Sequence, residues 1–322
     1  MKAVRFHEHG GPEVLRCEDV PDPQPGPGEA LVRLHAVGVN FIDTYQRSGA
    51  YRITLPYIAG QEGAGEVVAV GPDVSGVKVG DRVAYTGVPG SYAELVVTPA
   101  TKLVKLPDGV GYETAAASML QGMTAHYLVH STYPLKPGDT CLVHAAAGGV
   151  GLLLTQMAKM RGAQVIGTVS TEEKARLARD AGVDHVIRYT EQDFLEETLR
   201  ITDGTKLPVV YDSVGKTTFD KSIECLAPRG YMVLYGQSSG AVPAIDPQVL
   251  NAKGSLFLTR PSLIHHTQTR DEMEWRAGDV LGWAASGKLK VHIGEEHPMD
   301  QAAEAHRRLE GRKTTGKVLL TP

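Results

Sequence analysis

HAAAGGVG, His144–Gly151, follows the apolar run TCLVHAA (Thr140–Ala146) and opens the helical stretch GLLLTQMAKMRG. Laid on the pattern G-x-G-x-x-G, its key positions read Ala146, Gly148 and Gly151, with Gly149 and Val150 between the last two. A small first residue allows the tight turn. Gly148 lets backbone approach a pyrophosphate, and Gly151 lets the helix pack close to the strand. The helix start then offers unpaired N–H groups and a positive dipole end to phosphates. A lone glycine match signals only a tight strand–helix turn; the flanking elements decide the reading.

Those elements continue the rhythm. QVIGTVS, HVIRY, LPVVYDS and GYMVLYG are strand-like runs, each separated by room for a helix, and GSLFLTR (Gly254–Arg260) is a last strand. This alternation predicts a parallel sheet covered on both faces. Upstream of about Gly122 the pattern differs. EALVRLHAVGVN, GAGEVVAVG, DRVAYTG and SYAELVV are short strands broken by Gly and Pro, and PDPQPGPG is an extended loop. The tail from about His265 holds an amphipathic helix and ends in the strand-like KVLL. The expected fold class is α/β: a doubly wound Rossmann domain over residues 123–264, inserted in a β-rich domain made of residues 1–122 and 265–322.

Bulk properties narrow the function. Hydrophobic residues make up 42% and charged residues 22% of the 322, ordinary for a globular protein. The net charge of −4, with no dense basic block, advertises no grip on nucleic acid. No signal peptide is predicted at the N-terminus. No apolar run reaches the roughly 18 residues of a membrane span. Three scattered cysteines without a CxxC argue against a disulfide framework or structural zinc, and for a reducing cytoplasm.

About twenty residues past the glycine turn, NAD sites usually carry an acid for the ribose 2′-hydroxyl. Here GTVSTEEK places Val169 and Ser170 at that point, with Lys174 on the following helical turn. Loss of the carboxylate removes the repulsion against a 2′-phosphate, so NADPH is favoured, although Glu172 or Glu173 swinging toward the ribose would argue the other way. The adjacent pair His265 and His266 reads as surface rather than metal-binding, and His144 as a packed core group.

GQEGAGEV (Gly60–Val67) leaves open whether Gln61 and Glu62 are pocket groups or solvated turn residues. With VNFIDTYQRSGAY, AAASMLQGMTAHYL, HAAAGGVG, VVYDSVG and GQSSGAV, it resembles the zeta-crystallin-like NADPH:quinone oxidoreductases of the medium-chain dehydrogenase/reductase superfamily, nearly end to end. The resemblance implies a GroES-like catalytic domain, an inserted Rossmann domain, and a homodimer often joined through Rossmann edge strands. It places Asn40, Phe41, Asp43, Tyr45 and Tyr51 beside nicotinamide and substrate, with Gln61 and Thr124 facing the same cleft, and makes Asn40 or Tyr51 the donor to a quinone oxygen. Tyr127, Gly149 and Val150 would line the pyrophosphate; Ser170, Lys174 and Tyr189 would hold the 2′-phosphate and adenine end. Ser213, Tyr235, Gly236, Ser238, Leu258 and Arg312 would be further cofactor contacts. Zinc-dependent relatives carry Cys and His where this chain has Asn40 and Gln61, and carboxamides are poor zinc ligands, so a metal-free site is expected. Such a site suits acceptors that are already electrophilic: quinones first, α,β-unsaturated carbonyls as the alternative. A structural or RNA-binding role with bound NADPH is the rival of another class.

Overall fold

The computed structural model describes residues 1–322, which form two compact units: Met1–Met123 with Thr267–Pro322, and Thr124–His266. The first unit is built on strands β1 (Lys2–Phe6), β2 (Arg16–Asp19), β3 (Glu29–Val39), β4 (Tyr57–Ile58), β5 (Glu62–Val70), β6 (Arg82–Thr86), β7 (Leu95–Pro99) and β8 (Val104–Lys105). Helix α1 (Phe41–Arg47) follows β3, and the division between the units falls inside α2 (Tyr112–Tyr127).

The second unit alternates β9 (Thr140–Val143), α3 (Gly149–Met160), β10 (Gln164–Val169), α4 (Glu172–Asp180), β11 (His185–Arg188), α5 (Phe194–Ile201), β12 (Leu207–Asp212), α6 (Phe219–Glu224), β13 (Leu226–Leu234), α7 (Gln248–Ala252) and β14 (Phe257–Thr259). All its strand pairs are parallel, in the order β11-β10-β9-β12-β13-β14. Counted from β9 this is 3-2-1-4-5-6, the Rossmann order, whose ligand crevice lies at the carboxyl ends where the winding reverses, between β9 and β12. The strands are near-continuous apolar runs because helices cover both faces. Leu142, Ile166, Val210 and Met232 are each fully buried in their core.

The chain then returns through α8 (Arg270–Ala285), β15 (Ile293–Pro298), α9 (Ala302–Glu310) and β16 (Lys317–Thr321). Strand β16 pairs antiparallel with β3, setting Val318 against Val39 and Leu320 against Val37. The last strand thus completes the seven-stranded sheet of the first unit. Its apolar residues join Val32, Val37, Val67 and Tyr85 in one core. That closure brings residue 317 beside residues 38–40, where the first candidate site residues stand.

Candidate active site

In the second unit, β9 runs into a turn where Ala145 takes φ 52°, a left-handed conformation carried by a non-glycine. Gly148 caps α3 with no side chain bonded to the helix start. The first N–H groups of α3 are therefore left for a ligand. A Cβ on Gly151 would stand 2.3 Å from the Ala145 oxygen and 2.8 Å from the Ala146 Cα, so only glycine lets the helix lie on the turn. The cradle made by Ala146, Gly148, Gly149, Val150 and Gly151 fits a pyrophosphate: a helix start without a side-chain cap, its dipole end, and glycine at 148, 149 and 151.

At the end of β10, Ser170 is half-buried and Thr171 Oγ1 accepts from the Lys174 N–H at 3.3 Å, capping α4. Glu172 turns to arginines: Arg179 Nη1 at 2.9 Å, with Arg188 and Arg176 at 3.9 and 4.0 Å. The hydrogen bond from Arg179 leads in holding its carboxyl below the usual range. Its charge is met locally, which weakens its claim on a ribose. Thr190 Oγ1 donates to the Ser170 oxygen at 2.9 Å, tying exposed Tyr189 to the same strand end. Arg188, a further cation there, was missed in the sequence; a basic residue ending β11 was the available signal.

Ser213, Tyr235, Gly236 and Ser238 come together after β12 and β13. Tyr235 N–H donates to the Asp212 oxygen at 2.8 Å, and Ser238 N–H to the Ser213 oxygen at 3.1 Å. Leu258 lies apart from them on edge strand β14, and Arg312 belongs to the first unit, just after α9. Thr124 and Tyr127 are buried on α2, and the Tyr127 ring stacks on His266 with centroids 4.2 Å apart. His266 is thus a stacking partner, while His265 is exposed.

The first unit holds a buried polar cluster. Lys317 Nζ lies 2.5 Å from Glu62 Oε2, with side chains 1% and 0% exposed. Glu62 also accepts from Leu120 N–H and, at 2.9 Å, from Asn40 Nδ2. Asn40 Oδ1 accepts from Lys317 Nζ at 2.9 Å, and Nδ2 also reaches the Gly38 oxygen at 3.3 Å. A Cβ on Gly38 would meet Glu62 Oε2 at 2.3 Å and Lys317 Nζ at 2.7 Å, so the strand leaves that space to the ion pair. Both amide hydrogens of Asn40 are spent inside the unit.

Asp43, 1% exposed, is also turned inward. Its Oδ2 accepts from Asn40 N–H at 2.8 Å and Tyr92 Oη at 3.1 Å, which ties the first turn of α1 to the core, while Oδ1 has no hydrogen-bond partner. Burial is the main cause that pushes its carboxyl up to about 7. Arg47 Nη1 donates to His306 Nδ1 at 2.9 Å, and His306 Nε2 meets Tyr92 Oη at 3.0 Å. Burial, followed by the Arg47 charge, brings this histidine down to about 3 and keeps it neutral. Gln61 Nε2 donates to Tyr57 Oη at 3.0 Å. Phe41, Tyr45 and Tyr51 form an aromatic row, with centroid spacings of 6.1 and 5.3 Å and Tyr51 36% exposed. No three His, Cys, Asp or Glu side chains stand together in a way that would ligate one metal ion.

A β-rich unit completed by the C-terminal strand, in one chain with a 3-2-1-4-5-6 parallel sheet and its glycine cradle, defines a medium-chain dehydrogenase/reductase. Residues 26–108 match the alcohol dehydrogenase GroES-like domain, and residues 149–279 match the family described as zinc-binding dehydrogenase. The quinone oxidoreductase of Pseudomonas aeruginosa is 49% identical, covering 100% of this chain and 99% of its own. The 2-haloacrylate reductase of a Burkholderia species is 43% identical over the same shares. The crystal structure of Escherichia coli quinone oxidoreductase complexed with NADPH superposes with a TM-score of 0.98 at 45% identity, covering 100% of both chains. The chain belongs to the quinone oxidoreductase family of this superfamily.

Proposed function

We propose that the protein reduces small quinones with NADPH, without zinc, as a homodimer in the cytoplasm. The observation that carries the reading is the uncapped start of α3, held on the Ala145–Ala146 turn by Gly151. The NADPH complex of the Escherichia coli relative supports the same cofactor. Bound there, NADPH supplies a hydride from its nicotinamide. The α3 N–H groups hold the pyrophosphate, and Ser170, Lys174 and Tyr189 hold the 2′-phosphate and adenine end.

On the acceptor side, Phe41, Tyr45 and Tyr51 offer a planar ring faces to lie on, and Tyr51 donates to the oxygen that gains charge. With its own donors spent, Asn40 shapes the start of α1. Carboxamides at positions 40 and 61 provide no strong metal ligand, so the acceptor must be electrophilic already; a quinone is, because reduction makes its ring aromatic. Mixing the protein with NADPH and 1,4-benzoquinone depletes NADPH absorbance; a rate equal to the uncatalysed background defeats the proposal. The relative named 2-haloacrylate reductase supports activated alkenes as a second acceptor class. A side-by-side panel of quinones and enones decides between them.

Lys174→Ala tests the cofactor choice. Removing one charge-assisted contact weakens NADPH by about tenfold or more and NADH by less than about twofold. Equal losses in a binding titration would remove Lys174 from the phosphate site.

The homodimer reading rests on β14, paired only with β13, whose Phe257 is 50% and Leu258 37% exposed. An unpaired apolar edge invites a second strand. Phe257→Asp converts dimers to monomers in sedimentation equilibrium; an unchanged mass would place the interface elsewhere. Three free cysteines, with Cys17 exposed, suit a reducing compartment.

A further inference from the structure

The carboxyl ends of the central Rossmann strands carry a buried hydrogen-bonded row for which the proposed reaction has no chemical use. His144 Nδ1 lies 3.0 Å from Thr168 Oγ1, and its Nε2 lies 3.0 Å from Ser222 Oγ. Ser222 Oγ continues to Asp212 Oδ2 at 3.2 Å, where Thr218 Oγ1 also donates at 2.7 Å. Asp212 Oδ1 gathers the N–H groups of Val214 and Gly215 at 2.7 and 3.0 Å. Thr168, His144, Ser222 and Asp212 are all 2% exposed or less. Nucleophilic catalysis has no access here, and the serine, not the histidine, holds the carboxylate.

We propose that His144 is a positioning residue for the cofactor, the centre of a directional row that holds three cofactor-binding turns in register. The proposal rests on the NADPH reading above.

The direction of the row follows from donor counting. Asp212 receives four donors, and Ser222 has one proton, which goes to Asp212. Ser222 must then accept from His144, so the imidazole carries its hydrogen on Nε2. Nδ1 is left bare and accepts from the Thr168 hydroxyl. Burial holds the imidazole below its usual pKa, in keeping with one N–H and one lone pair. The Phe194 ring, edge-on at 4.7 Å and 82°, limits rotation of the imidazole.

The location gives the row its role. The β9–β10 register ends at Val143 opposite Gly167, and the β9–β12 register at Val143 opposite Tyr211. Thr168, His144 and Asp212 each stand one residue beyond those last pairs. The row therefore spans the sheet where pairing with β9 stops, while Thr168 and Asp212 remain paired on their outer sides to β11 and β13. Ala145 follows His144 into the pyrophosphate turn, Ser170 lies two residues past Thr168, and Ser213 follows Asp212. An apolar side chain at 144 leaves two buried hydroxyls without their partner and frees the turns to shift against each other.

The test is binding and kinetics on the full chain. His144→Leu raises the NADPH dissociation constant, read by fluorescence titration, about tenfold. The KM for 1,4-benzoquinone stays within about twofold, since the row touches only the cofactor turns. His144→Gln, which keeps a donor and an acceptor, recovers part of the loss. Thr168→Val weakens NADPH in the wild-type background and adds nothing on top of His144→Leu. Should His144→Leu fail to fold, Thr168→Val and Ser222→Ala carry the same reading singly and together.

NADPH affinity within about twofold of wild type in folded variants overturns the proposal, as does full additivity of Thr168→Val with His144→Leu. Equal changes in the NADPH and quinone constants, with a lower melting temperature, reduce the row to a general structural part and also overturn it. A wild-type chain that binds no NADPH would sink the cofactor reading itself, and this proposal with it.

Discussion

Lys317→Met lowers the stability of the β-rich unit by about 3–5 kcal/mol, because it strands the Glu62 carboxylate in a core that offers no water. Glu62 is 0% exposed and keeps only Asn40 Nδ2 and the Leu120 N–H as partners once the ammonium is gone. Glu62→Leu alone is costly for the mirror reason. The double variant costs less than the sum of the two, since a buried pair replaced by apolar groups leaves no lone charge. Urea titration followed by tryptophan fluorescence reads this unit selectively: Trp275 and Trp283, the only tryptophans, both lie on α8. Single-variant losses below about 1 kcal/mol would show that the pair contributes no more than a surface bridge.

The same variant has a pH signature through Asp43. Burial raises this carboxyl to about 7, against a lowering contribution from the Lys317 charge. An acid whose folded pKa is raised binds a proton that the unfolded chain has released, so stability present at low pH is lost as pH climbs through the folded pKa. In the wild type that loss is spread between the ordinary carboxyl value of 3.8 and about 7. Removing Lys317 pushes the folded value further up, so the variant's deficit grows from about pH 6 to about pH 8, the interval in which wild-type Asp43 ionises beside the ammonium and the variant's carboxyl does not. A deficit constant over that range would mean that Asp43 does not sense the ammonium.

The Rossmann unit was legible because its signals are local. Thr140–Val143, Gln164–Val169 and Leu207–Asp212 are apolar runs at helix-sized intervals, and HAAAGGVG sits on the first crossover. The missing acid after β10 was equally local, and the arginines around Glu172 weaken that residue's competing claim on the ribose by meeting its charge. The polar interior of the other unit was not legible in this way. Glu62 and Lys317 are 255 positions apart and meet only because β16 pairs with β3. The available clue was a lysine opening the apolar run KVLL, where a strand has no solvent for a charge. The sequence could name Asn40 but not the direction of its amide, which Glu62 and Lys317 decide together. GQEGAGEV divides accordingly: Gln61 bonds Tyr57 at a half-buried position, and Glu62 is core.

Gly151→Ala adds one methyl group and is expected to weaken NADPH about 100-fold, an effect of displaced geometry rather than lost contact. The new Cβ meets the Ala145 oxygen at 2.3 Å, the Ala146 Cα at 2.8 Å and the Ala146 carbonyl carbon at 2.9 Å, all main-chain atoms of the turn that shapes the cradle. No flexible side chain can move aside, so α3 must lift or the turn must open. Either shift takes the helix N–H groups away from the pyrophosphate. Overpacking of this kind also costs about 1–3 kcal/mol of stability. Gly151 lacks a positive φ, so the penalty is steric and not conformational. The control is Gly278→Ala on α8, where nothing lies within 4 Å of the added Cβ. There the same substitution stabilises by about 0.5–1 kcal/mol through helix propensity and leaves NADPH affinity unchanged. Calorimetric titration of both variants separates the two terms, and a Gly151→Ala protein that binds NADPH like the wild type would show that α3 is not held against the turn as the cradle requires.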